Sequence, residues 1–117
     1  MIHYTTAFDN VEPTEKLKKY IQHKVRELEK YIPQKARESA ELAVSLRAAR
    51  AHNSGDKTCR LSLQLPQAVL HTHETTSHTY AALDIAVAEL RRQLAEYKAV
   101  HSTQRLRKFI AHTIRRK

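Results

Sequence analysis

Lys16, Lys19, His23, Arg26 and Lys30 follow one another at spacings of three, four, three and four residues. On a helix that spacing lines them along a single stripe. Such a row of point charges suits phosphates, and each phosphate it neutralises makes binding more sensitive to salt. The same row also suits a solubilising face, with Glu27 and Glu29 close by. A second basic group, Arg91, Arg92 and Lys98, falls in a stretch where Asp84, Glu89 and Glu96 match it in number. A third, Arg105, Arg107, Lys108, Arg115, Arg116 and Lys117, falls in residues 101–117, which hold no acid. Of the net charge of +9, residues 1–100 carry only +3, from 15 basic and 12 acidic side chains. A balance this basic favours anionic partners, either nucleic acid or an anionic membrane face.

Other chemistry is poorly provided for. Gly55 is the only glycine, so there is no glycine-rich phosphate loop. Eight histidines invite a metal, and His71 and His73 share one face of a strand. No cysteine pair and no helical His-x-x-x-His completes a ligand set, so neither a metal nor any other cofactor is expected. Cys59 stands alone on the apolar side of a strand, which is the setting of an inert buried thiol. No pairing of acid and base points to a pocket with shifted pKa values, so an enzyme acting on a small-molecule substrate is not expected. The start, Met1-Ile-His-Tyr, has neither the basic nor the apolar segment of a signal peptide. No apolar run approaches the roughly 20 residues of a membrane span. A reduced, cytoplasmic setting is the expectation.

The elements that must hold these side chains follow from periodicity. The 117 residues suit one domain. Residues 2–7 read as a strand with Ile2, Tyr4 and Thr6 on one face. Residues 15–32 read as a helix with Leu17, Ile21, Val25, Leu28 and Ile32 on one side, capped by Thr14 and ended by Pro33. Residues 40–49 and 57–65 alternate strictly, with Leu42, Val44, Leu46 and Ala48, then Cys59, Leu61, Leu63 and Leu65, inward. A turn is expected at 53–56 and another at Pro66-Gln67, followed by a weaker strand over 68–75. Helix resumes from Ser77, with an apolar edge through Tyr80, Leu83, Val87, Leu90, Leu94 and Tyr97. The next apolar group, Leu106, Phe109, Ile110, Thr113 and Ile114, is out of phase with that edge. A joint or a frayed extension is therefore expected near 100–104, where Ser102 and Thr103 suit an N-cap. The predicted fold is α+β, in the order β-α-β-β-β-α. It forms a four-stranded sheet with two helices on one face, followed by a basic helical extension. Residues 1–100 form the domain and 101–117 the tail. The tail pattern suits RNA docking, an anionic membrane, a partner groove, or packing back onto the domain.

Asn10 to Leu17 (Asn-Val-Glu-Pro-Thr-Glu-Lys-Leu), Lys24, Leu28 to Ile32 (Leu-Glu-Lys-Tyr-Ile) and Tyr80 to Asp84 (Tyr-Ala-Ala-Leu-Asp) together resemble a known family. Leu90 to Leu94 (Leu-Arg-Arg-Gln-Leu) and Lys98 add to the match. The pattern is that of the short ribosome hibernation promoting factors and ribosome-associated inhibitors, over about residues 1–98. The resemblance implies the same fold and a place in the decoding channel of the small ribosomal subunit, where messenger and transfer RNA would sit. Translation in idle ribosomes would then be blocked by occlusion. Lys24, Arg92 and Lys98 fall on basic positions of the family pattern, and Lys18 falls where a basic residue is common. With the stripe read from spacing and Arg91 beside Arg92, the expected ribosomal RNA contacts are Lys16, Lys18, Lys19, His23, Lys24, Arg26, Lys30, Arg91, Arg92 and Lys98. The chain departs from the pattern at His78-Thr79, and at Glu89 and Glu96, where the family commonly carries cations. Long members of the family add a C-terminal dimerisation domain, which residues 101–117 cannot form. The chain is therefore expected to be monomeric away from the ribosome. A general structured-RNA binder, or an interaction protein docking through its C-terminal helix, are the other readings.

Overall fold

The computed structural model describes residues 2–49 and 55–115, with side chains through Val100. The order is β1 (His3–Asp9), α1 (Glu15–Glu29), α2 (Gln34–Arg37), β2 (Glu41–Ala48), β3 (Lys57–Leu65), β4 (Ala68–Thr76) and α3 (Thr79–Arg115). The strands form one sheet in the order β1-β2-β3-β4. β1 and β2 are parallel, joined by the α1 crossover, and the other pairings are antiparallel.

Alternation sets which face of each strand is covered. Leu42, Val44, Leu46 and Ala48 of β2, and Cys59, Leu61, Leu63 and Leu65 of β3, are buried. The intervening residues of both strands are exposed or half-buried. Both long helices lie on the covered face. α1 contributes Leu17, Ile21, Val25 and Leu28, and α3 contributes Ala82, Leu83, Ala86, Val87, Leu90 and Leu94, all in one core. Completely burying a leucine or isoleucine contributes about 1.5–3 kcal/mol. This shared stripe, rather than helix propensity, therefore fixes how the helices sit.

Local chemistry sets the ends. The Thr14 hydroxyl accepts from the Leu17 N–H at 3.2 Å and caps α1. The regular part of α1 stops at Glu29, three residues short of the sequence expectation. There the Tyr31 and Ile32 N–H groups turn to the carbonyls three residues back. Periodicity gave no sign of α2, a single turn after Pro33 that buries Ala36. The β3–β4 hairpin needs only two loop residues, because Gln67 accepts φ 68 beside Pro66. α3 runs as one helix through 100–104, where the phase of the apolar residues predicted a joint. No glycine or proline lies between Ser77 and Lys117 to break it. The turn expected at 53–56 lies largely outside the described residues.

Candidate nucleic-acid interface

Contacts between α1 and α3 advance in step. Tyr20 meets Tyr80 and Asp84, and eleven residues further on Tyr31 meets Arg91. The two helices therefore lie side by side and run in the same direction. Their solvent sides form one surface with a seam between them.

At about 100° per residue, Lys16, Lys19, His23, Arg26 and Lys30 lie nearly opposite the buried stripe of α1. All five are exposed. Among the described residues, Lys16, Lys19, Arg26 and Lys30 have no carboxylate within ion-pair distance, while His23 Nε2 lies 3.0 Å from Glu27 Oε1. The structure thus brings together the stripe predicted from spacing. Lys18 points to the flank away from α3 and lies 3.8 Å from Glu15.

The seam holds a second group. Asp84 accepts from the Tyr20 hydroxyl at 2.5 Å and pairs with Lys24 Nζ at 3.2 Å. Lys24 is half-buried, lies 3.7 Å from Glu27 and sits over the Tyr20 ring. That hydrogen bond to Asp84, helped by partial burial, pushes the Tyr20 pKa up to about 12. Lys24 is therefore a positioned, internally neutralised cation. Arg91 lies over Tyr31, 4.4 Å from the ring centroid, and donates to its hydroxyl at 2.7 Å. Tyr31 brings no charge, so Arg91 keeps its own and most of its five donors. Lys98 lies on the same side of α3, seven residues from Arg91.

Arg92 is different. It projects from the far flank of α3, about 100° round from Arg91. Its guanidinium donates to both oxygens of Glu89 and, at 2.5 Å, to Glu96. The hydrogen bond from Arg92 lowers the Glu89 pKa, and the two acids raise that of Arg92. The three side chains sum to −1. The two acids that depart from the family pattern thus occupy the Arg92 flank and leave the seam side of α3 untouched.

Periodicity could not find Tyr20, Tyr31 and Asp84, because their partners lie 60 to 64 residues away. The clamp on Arg92 was legible, since Glu89, Arg92 and Glu96 stand at helical spacings of three and four. The side chains of Arg105, Arg107, Lys108, Arg115, Arg116 and Lys117 lie outside the described residues. His71 and His73 both stand on the open face of β4, and among the described residues no group of three His, Cys, Asp or Glu is placed to hold a metal. No helix among them is long and apolar enough to cross a membrane.

Similar proteins share this frame. A ribosome hibernation promotion factor of Deinococcus radiodurans is 29% identical over 102 residues, 87% of this chain and 52% of the relative. The chain thus spans about half the length of that relative. The N-terminal domain of Thermus thermophilus Protein Y superposes with a TM-score of 0.69 at 25% identity, covering 83% of this chain and 99% of that domain. A ribosomal subunit interface protein from Coxiella burnetii gives a TM-score of 0.68 at 18% identity, covering 84% of this chain and 99% of its own, and shares the fold. Residues 4–102 match the family described as Sigma 54 modulation protein / S30EA ribosomal protein, and the chain belongs to that family.

Proposed function

We propose that this chain binds the small ribosomal subunit in the channel that messenger and transfer RNA would occupy, and silences idle ribosomes by occlusion. The observation that carries the reading is the exposed, unneutralised row Lys16, Lys19, Arg26 and Lys30 on α1. Arg91 and Lys98 continue it on the adjoining side of α3. Four to six phosphate contacts of this kind hold a protein on RNA without reading sequence. Family membership and the hibernation factor from Deinococcus support the ribosome as the source of those phosphates. No bond is made or broken in this role, and no cofactor is needed. Lys24 acts as a fixed strut of the seam, Lys18 lies on the flank away from α3, His23 stands within the row beside Glu27, and Arg92 is held in reserve by its acids. The six tail cations are assigned by charge alone to the same RNA.

Cosedimentation with separated small and large subunits, across a salt series, tests this. The expected result is saturable binding near one to one with the small subunit, weakened by added messenger or initiator transfer RNA. Lys16→Ala, Lys19→Ala and Lys30→Ala together should abolish it while circular dichroism stays unchanged. Equal binding to both subunits, or full binding by the triple variant, overturns the proposal.

A further inference from the structure

Among the described residues nothing covers the face of the sheet away from the helices, and its side chains form a grid fixed by strand register. One row reads Ala7, Ser45, Arg60, His73, and the next reads Thr5, Ala43, Ser62, His71. Facing residues in a row have Cβ atoms about 5 Å apart, and successive rows are about 6.8 Å apart. Arg60, His71, His73, Ser45 and Ser62 are therefore neighbours. They border a shallow depression of about 380 Å³, which Ala43 keeps open by its small size. Among the described residues no carboxylate lines it.

The surrounding rows behave otherwise. Arg47 pairs with Asp9 at 3.4 Å, and Thr58 bonds Thr75 at 3.0 Å. Glu41, the other acid on this face, stands two rows from Arg60 and opposite Gln64. Among the described residues, the side chains of Arg60, His71, His73, Ser45 and Ser62 have no hydrogen-bond or ion-pair partner. Placing Arg60 directly across from His73 with no acid between them gains nothing for the fold, since two basic groups so placed repel whenever the imidazole is protonated. The cluster offers an arginine fork, two imidazoles and two hydroxyls around one concavity. That donor set matches the oxygens of a phosphate.

We propose that Arg60, His71, His73, Ser45 and Ser62 form a second phosphate-binding site, on the open face of the sheet, which takes a phosphodiester of a separate RNA segment. The domain then holds RNA on two sides, by the α1–α3 surface and by the sheet. This site does not depend on the helix-face assignment, because no residue is shared.

The test is a nitrogen–proton NMR titration of the full chain with a uridine hexanucleotide, following the Arg60 side chain and both imidazoles. It is run on the native chain, on Arg60→Ala, on His71→Gln with His73→Gln, and on the Lys16, Lys19, Lys30 alanine variant. Saturable shifts at Arg60, His71 and His73 are expected in the native chain and in the helix variant. Affinity at the Arg60 signal should fall five- to tenfold in the histidine variant, and the imidazole shifts should vanish in Arg60→Ala. Shifts confined to the helices, or imidazole shifts unchanged in Arg60→Ala, overturn the site. Saturation by inorganic phosphate with no response to the RNA overturns the assignment of its ligand. Loss of the sheet signals in the helix variant alone would show one continuous surface and overturn the second site, while leaving the helix-face reading intact.

Discussion

Arg91 and Arg92 are adjacent in sequence and should differ sharply in RNA binding. Arg91 stacks on neutral Tyr31 and faces the cationic surface of α1. Arg92 is held between Glu89 and Glu96 in a group whose charge sums to −1. A phosphate approaching Arg92 must displace two carboxylates that are tethered on the same helix and already in contact. One phosphate contact steepens the fall of log affinity with log salt by about 0.9 on a B-form duplex and about 0.7 on single strands. Over a rise from about 50 to about 200 mM salt, this amounts to a roughly threefold change in affinity per contact.

Arg91→Ala should therefore lower the slope by about one contact and weaken small-subunit binding severalfold at moderate salt. Arg92→Ala should change affinity less than about twofold and leave the slope where it was. A double-mutant cycle sharpens the test. When Glu89 and Glu96 are both replaced by glutamine, the clamp disappears and its charge becomes +1. Arg92→Ala should then lower the salt slope by about one contact, so that its cost at about 50 mM salt exceeds its cost at about 200 mM by roughly threefold, an effect absent in the native chain. Filter binding or anisotropy across the salt series, with the five chains in parallel, supplies the numbers. If Arg92→Ala in the native chain flattens the salt slope as much as Arg91→Ala does, RNA outcompetes both acids and the clamp argument is wrong.

Thr72 is buried with no partner for its hydroxyl. Thr72→Val should raise stability by about 1 kcal/mol in urea unfolding, and a loss of stability would show that the hydroxyl is satisfied. Cys59 is buried, and burial pushes its thiol up to about 12. Its reaction with a thiol reagent at pH 8 should be slowed at least a hundredfold against a free thiol and should accelerate only with urea, whereas prompt labelling would refute this burial. Tyr20→Phe removes the hydrogen bond to Asp84 and should cost about 1 kcal/mol at neutral pH, discounted for solvent at this half-buried site. The Tyr20 pKa is raised from 10.0 to about 12 on folding, so its contribution is whole below pH 10 and is lost as pH climbs through 12. The stability gap between the native chain and Tyr20→Phe should close over that window, and a constant gap would rule out the phenol as its source.

Strands β2 and β3 were legible because one face is buried and the other is not, so period two is written into Leu42 to Ala48 and Cys59 to Leu65. α1 was legible as an apolar stripe and as a row of cations at spacings of three and four, although only the structure sets that row nearly opposite the stripe. α2 was not, since a single turn with one buried residue has no period to detect. The joint near 100–104 was inferred from a shift in apolar phase, but phase marks which side of a helix is covered, not whether its backbone continues. The same distinction explains what counting missed at the candidate interface. Over residues 79–100 of α3 the acids match the basic side chains in number, three against three. Geometry sorts those charges to opposite flanks. Glu89, Arg92 and Glu96 satisfy one another on the far side, Asp84 serves Tyr20 and Lys24 within the seam, and Arg91 and Lys98 remain for the surface shared with α1. A net charge of zero along residues 79–100 is thus compatible with a one-sided cationic surface, because neighbouring side chains at three and four residues neutralise one another before they reach any ligand.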